Sequence, residues 1–175
     1  MPAANVFLSV GRTSTARQET FVSALEQLMR RNGLRPQTVG RTSFSVDQPL
    51  KHVMSLMREC SGTMIVAFER VHVERGAERR GSESEVRLAD CGLPTVWNQI
   101  EAAMSYVIDL PLMVLVEHGL RSEGLLEKGY DWYVQWVDLD PKTLKGLEFR
   151  GVFDDWKSRV KGRAAAVPTA IEPAG

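Results

Sequence analysis

Three short apolar runs constrain this chain more than any other feature: VFLSV at 6–10, TMIVAF at 63–68 and PLMVLVE at 111–117. A strand with one wet face alternates apolar and polar residues. These runs are nearly continuous, as strands buried on both faces of a parallel sheet are. Segments of helical period separate them. In RQETFVSALEQLMRRNG, Phe21, Val22, Leu25, Leu28 and Met29 fall on one side, and Asn32-Gly33 closes the run as a C-cap does. In DQPLKHVMSLMRECSG, Leu50, Val53, Met54 and Met57 share a face, with Asp47 as N-cap and Pro49 in the first turn. WNQIEAAMSYVID repeats the pattern with Ile100, Ala103, Met104 and Val107. RPQTV (35–39) reads as a further short strand, and DWYVQWVDL alternates like an edge strand. Strands alternating with helices predict an open α/β sheet with right-handed crossovers, whose ligands sit at the carboxyl ends of the strands.

A length of 175 residues suits one domain with a sizeable core, here expected over residues 1–163. Residues 69–90 interrupt the rhythm. About half are charged, in both signs, which reads as a solvated insertion or a salt-bridged helix; leaving the sheet on the ligand side, it also reads as a lid. Residues 164–175, AAAVPTAIEPAG, have small residues and no periodicity, and read as a disordered tail or the stub of a linker. Twenty-two basic residues balance twenty-two acidic ones, so no charge footprint for nucleic acid or an anionic membrane stands out. The longest apolar stretch is far shorter than the roughly 18–20 residues that span a bilayer. No signal-like leader opens the chain. Two cysteines, Cys60 and Cys91, could pair but suggest no disulfide framework, and a reducing, cytoplasmic setting is the simpler reading.

The chemistry narrows by elimination. His52, His72 and His118 lie in separate segments without ligand spacing, and C-x-x-C is absent, so no metal site is expected. There is no G-x-S-x-G elbow. The first loop, SVGRTSTARQE, lies between a strand and a helix; it reads either as a phosphate cradle or as a plain β–α turn, since it lacks a Walker lysine and a G-x-G-x-x-G. The segment PTVWNQIEAAM carries two readings of Glu101. In the first, Asn98 is an N-cap and Glu101 its capping-box partner at N3. In the second, Trp97, Glu101 and Ser105 form one stripe at spacing four, beside the apolar one. That stripe begins at the sheet edge shared by Gly11-Arg12 and Phe68-Glu69. A carboxylate there suits chemistry at a ribosyl carbon, where cleaving an N-glycosidic bond develops positive charge.

The residues also resemble a family. VFLSVGRTSTARQETFVSALEQLMRRNGL is similar to the opening of TIR-like domains, and SGTMIVAFERV resembles their next core strand. WNQIEAAM, followed by LPLMVLV, resembles the W-C-x-x-E-L helix and the strand after it, with Trp97 and Glu101 at the matching separation. EAAMS before DLPLMVLV is similar to the E-x-G-x-A helix of the nucleoside 2-deoxyribosyltransferases. Asn98 stands at the usual cysteine, Ala102 at the leucine, and Ala103 at the glycine of the second motif. The resemblance implies a flavodoxin-like open sheet, mostly parallel, with helices on both faces, and a glutamate acting at a ribosyl C1′.

The resemblance further implies a cytoplasmic NAD⁺ glycohydrolase of bacterial type, an effector in signalling or antiviral defence that self-associates into a homo-oligomer. NAD⁺ is then the substrate and no cofactor is needed. Glu101 is the catalytic candidate; Trp97 lines the pocket, Gly11 and Arg12 meet phosphate or base, Phe68 stands at the same edge, and Phe44 and Ser45 fall near the second-strand loop. The alternatives are a nucleoside or nucleotide N-ribosyl hydrolase or transferase, and a non-catalytic nucleotide-sensing or scaffold module.

Overall fold

The three apolar runs become the centre of one sheet because both of their faces are covered. In the computed structural model, which describes residues 3–44, 49–129 and 132–166, the order is β1 (Ala4–Val10), α1 (Ala16–Arg31), β2 (Leu34–Gln37), α2 (Pro49–Arg58), β3 (Thr63–Ala67), β4 (Val71–Glu78), β5 (Val86–Leu93), α3 (Val96–Val107), β6 (Leu112–Glu117), β7 (Val134–Val137) and α4 (Leu147–Ala166). The main sheet runs β2-β1-β3-β6-β7, and every pairing in it is parallel. Counting only these strands, the order is 2-1-3-4-5, that of a flavodoxin-like sheet. RPQTV and DWYVQWVDL supply its two edges, β2 and β7.

Side chains alternate across the sheet and divide the core in two. Val6, Leu8, Met64, Val66, Met113 and Leu115 pack against α1 and α4, where Phe21, Leu25, Phe149, Phe153 and Trp156 are buried. Phe7 faces α2, with Val53 and Met57. Ile65, Ala67, Val114 and Val116 gather around Ala102 of α3. Ser9 has the parity of Phe7, and this turns its hydroxyl toward α3. The end of α1 is as expected: Asn32 is the C-cap, its side-chain amide donates to the Leu28 carbonyl at 2.8 Å, and Gly33 takes the left-handed conformation (φ 74°).

Four expectations need correction. Residues 69–90 are solvated, as expected, but form no helix. They make most of an antiparallel hairpin, β4–β5, that joins β3 to α3. Both faces of this ribbon are wet, so its sequence shows no apolar alternation. The N-cap of α3 is Thr95, whose hydroxyl accepts from the Trp97 N–H. Asn98 and Glu101 lie inside the helix and form no capping box, because both side chains turn into the body of the protein. The apolar face assigned to α3 is only partly inward: Met104 packs on the core, but the helix is rotated from the expected face. Asn98, Glu101, Ala102 and Ser105 are buried, while Ile100 and Val107 are exposed. Lastly, α4 runs through Ala166, and Ala164 packs on the core, so residues 164–166 are helical rather than tail. Residues 167–175 lie outside the described residues, as does the proposed N-cap Asp47. Leu50, expected on the apolar face of α2, is half exposed. Cys60 and Cys91 are both free. Among the described residues no helix is long and apolar enough to cross a membrane, and no cluster suits a metal ion.

Candidate functional site

The strand order reverses between β1 and β3, and a cleft opens at their carboxyl ends, where a doubly wound sheet places its ligands. The cleft has a volume of about 400 Å³. Val10, Gly11 and Arg12 form one wall as β1 ends; Val39, Pro49 and Val53 form a second, apolar one. Arg70, between β3 and the hairpin, and Thr95, Trp97, Asn98 and Glu101 of the α3 entrance complete it.

Glu101 is the one carboxylate among the described residues that line the cleft. It is 8% exposed, and burial pushes its carboxyl up to about 7, opposed by a hydrogen bond donated by the Ser9 hydroxyl to Oε2. Ser9 in turn accepts from Asn98 Nδ2 at 3.0 Å. The first two turns of α3 thus carry a buried polar chain back to β1. One turn further on, Ser105 Oγ donates to the Glu101 carbonyl and accepts from the Thr63 hydroxyl, both at 2.8 Å, and ties α3 down on β3. A carboxylate poised near neutrality in a cleft is suited to stabilising or accepting positive charge.

Of the residues singled out from the sequence, Gly11, Arg12, Trp97 and Glu101 come together around the cleft. Trp97 is 40% exposed at the rim. Phe68 does not join them: it is buried in the core beneath α1. Phe44 is 76% exposed and does not line the cleft, and Ser45 lies outside the described residues. In the first loop the Ser14 N–H donates to Gln18 Oε1, and Thr15 caps α1 by accepting from the Gln18 N–H. Three members of the site were not found from sequence in this role: Ser9, Arg70, and Asn98, which was read as a cap. The parity of Ser9 with Phe7 was a visible signal for the first; Arg70 had none among ten other charged residues in 69–90.

A larger cavity, about 580 Å³, opens at the opposite end of the sheet between α4 and the end of α3. Its polar groups are engaged: Arg159 with Asp155 at 2.9 Å, Arg163 with the Asp109 carbonyl at 2.7 Å, and Trp156 Nε1 with the Pro111 carbonyl at 3.0 Å. It lies at the amino ends of the strands, and the switch-point cleft is the stronger candidate.

No family model matches this chain, and no curated protein matches it in sequence. Solved structures do match. The Clostridium botulinum CMP N-glycosidase BcmB superposes with a TM-score of 0.53 at 12% identity, over 83% of this chain and 98% of that one. The TIR domains of the activated Roq1 resistosome directly recognizing the pathogen effector XopQ match with a TM-score of 0.40 at 14% identity, over 94% and 85% of the two chains. The fold comparison rests on the first. Fold and cleft together define an α/β protein with a flavodoxin-like sheet, similar in fold to that N-glycosidase, with a buried carboxylate at its switch point.

Proposed function

We propose that this chain cleaves the N-glycosidic bond of a nucleotide, with Glu101 acting at the ribosyl C1′. The observation that carries the reading is a buried carboxylate, held by Ser9, at the floor of a switch-point cleft whose other charged lining residues are Arg12 and Arg70. Two cations beside one carboxylate suit a ligand that is anionic at one end and becomes cationic at the reacting carbon. As the C1′–N bond breaks, its electron pair leaves with the base. Ionised Glu101 offsets the oxocarbenium-like charge, and water supplies the new C1′–O bond, giving up its proton to Glu101.

Among the described residues the cleft holds no second acid to protonate a leaving base. That favours a base which departs neutral without a proton, as nicotinamide does from NAD⁺, and NAD⁺ is the leading substrate. A nucleoside 5′-monophosphate is the second reading, favoured by the CMP N-glycosidase that shares the fold. Self-association, in turn, has a physical counterpart in the uncharged exposed side of α3, with Val96, Ile100 and Val107.

The test is incubation of the purified chain with NAD⁺ and, separately, with CMP and other monophosphates, products being separated by chromatography. Free nicotinamide supports the first reading and free base the second. Thermal stabilisation by nucleotide without any product would replace both with a binding module. Glu101→Gln is expected to fold normally and lose at least about a hundredfold in turnover.

A further inference from the structure

We propose that Asn98 is the positioning residue of this site: by donating to both Ser9 and the Val66 carbonyl, it leaves the Ser9 hydroxyl hydrogen one acceptor to meet, the Glu101 carboxylate. The inference rests on the reading that Glu101 acts at the ribosyl carbon, and adds how its charge and aim are maintained.

The direction of the chain follows from donors and acceptors alone. The Val66 carbonyl, on β3, accepts only, so it selects the NH₂ end of the Asn98 amide, which approaches at 3.5 Å. The same Nδ2 donates its other hydrogen to Ser9 Oγ at 3.0 Å. Having accepted, Ser9 directs its single hydrogen to Glu101 Oε2. Turning the amide over would set carbonyl oxygen against carbonyl oxygen at Val66 and draw the Ser9 hydrogen away from Glu101. Asn98 and Ser9 are each 1% exposed, so bulk water does not compete for these groups. In this orientation Asn98 Oδ1 meets no donor among the described residues. An acceptor left unmet in the interior is unfavourable, and the arrangement keeps it in exchange for a fixed donor direction at Ser9.

Removing the amide frees the Ser9 hydroxyl to rotate, and Glu101 then loses part of the one hydrogen bond that favours its ionised form. The other charged groups lining the cleft, Arg12 from the β1–α1 loop and Arg70 from the base of the hairpin, are unchanged by such a substitution. A change in Glu101 therefore reports the Asn98–Ser9 link.

The experiment follows the Glu101 side-chain carboxyl by ¹³C NMR across pH in glutamate-labelled protein, with Glu101→Gln assigning the signal. Asn98→Leu matches the amide in size and cannot donate; Asn98→Ala serves if leucine overpacks, and circular dichroism confirms folding. Both are expected to raise the proton affinity of Glu101 roughly three- to tenfold. Ser9→Ala is expected to raise it at least as much, and Asn98→Leu added to Ser9→Ala to change little more, because Asn98 works through Ser9. With substrate, the acid limb of kcat/KM moves up by the same factor. A folded Asn98 variant with an unmoved Glu101 titration overturns the proposal, as does an equal shift when Ser9 is already alanine. If the titrations couple as expected but no nucleotide is cleaved, the glycosidase reading falls while the Asn98–Ser9–Glu101 link stands.

Discussion

Under the proposed function, one proton on Glu101 links stability to activity. Burial raises its carboxyl from 4.5 to about 7, so between those values the folded chain binds the proton more tightly than the unfolded chain does. Stability from this group is therefore full below pH 4.5 and falls as pH rises through 7. Glu101→Gln removes the dependence. Above pH 7 the variant is expected to be the more stable protein, by about 1–3 kcal/mol, with the gap closing toward pH 4.5; urea titrations at several pH values measure it. Activity has the opposite slope, since the ionised form is the one that meets positive charge: kcat/KM is expected to rise with pH through about 7. Parallel rather than opposed trends would remove Glu101 from the reaction. The residue itself was legible from its placement after Trp97. Its partner was not, because Ser9 lies 92 positions away in the chain and meets Glu101 only across the packed sheet.

Helix α3 packs with its small and polar side inward. Ala102 is fully buried and Ser105 bonds to Thr63, which lets the helix sit close to β3. Val107, on the periodic apolar stripe, is 81% exposed. Periodicity locates an apolar stripe but says nothing of close approach, which small residues permit and large ones forbid. Two substitutions separate the faces. Ala102→Leu is expected to cost about 1–3 kcal/mol through overpacking, whereas Val107→Lys should change stability by less than about 0.5 kcal/mol. Equal costs in chemical denaturation would mean that the helix is rotated from this packing. The hairpin before α3 has its own close contact. A Cβ on Gly92 would lie 2.7 Å from Glu69 Oε2 and 2.9 Å from Leu120 Cδ2, at the point where the ribbon meets the loop after β6. Gly92→Ala is accordingly expected to disturb the neighbouring Arg70 wall and raise KM more than it lowers kcat, as steady-state kinetics would show.

At the scale of the whole molecule, the sheet separates its two layers by function. The α2 and α3 side holds the cleft; the α1 and α4 side holds the larger core. Gly62 opens the way into β3, and a Cβ there would stand 2.4 Å from Val160 Cγ2 of α4. Gly62→Ala is expected to cost about 1–3 kcal/mol in stability and to leave kcat and KM nearly unchanged, because the strain falls on the layer away from the site. Comparing denaturation midpoints with kinetics tests that division.

Local pattern alone determined the parallel sheet, its edge strands, the course of α1 and the neighbourhood of Trp97 and Glu101. Continuous apolar runs have few other stable solutions, and a helix entrance beside a strand end is a matter of chain connectivity. Tertiary structure decided which face of α3 is buried, that the charged segment pairs as a ribbon, that Phe68 belongs to the core, and that Asn98 and Ser9 meet Glu101. Each of those outcomes depends on which distant group occupies the adjoining space. Burial, donor direction and the raised carboxyl exist only once β1, β3 and α3 are brought together.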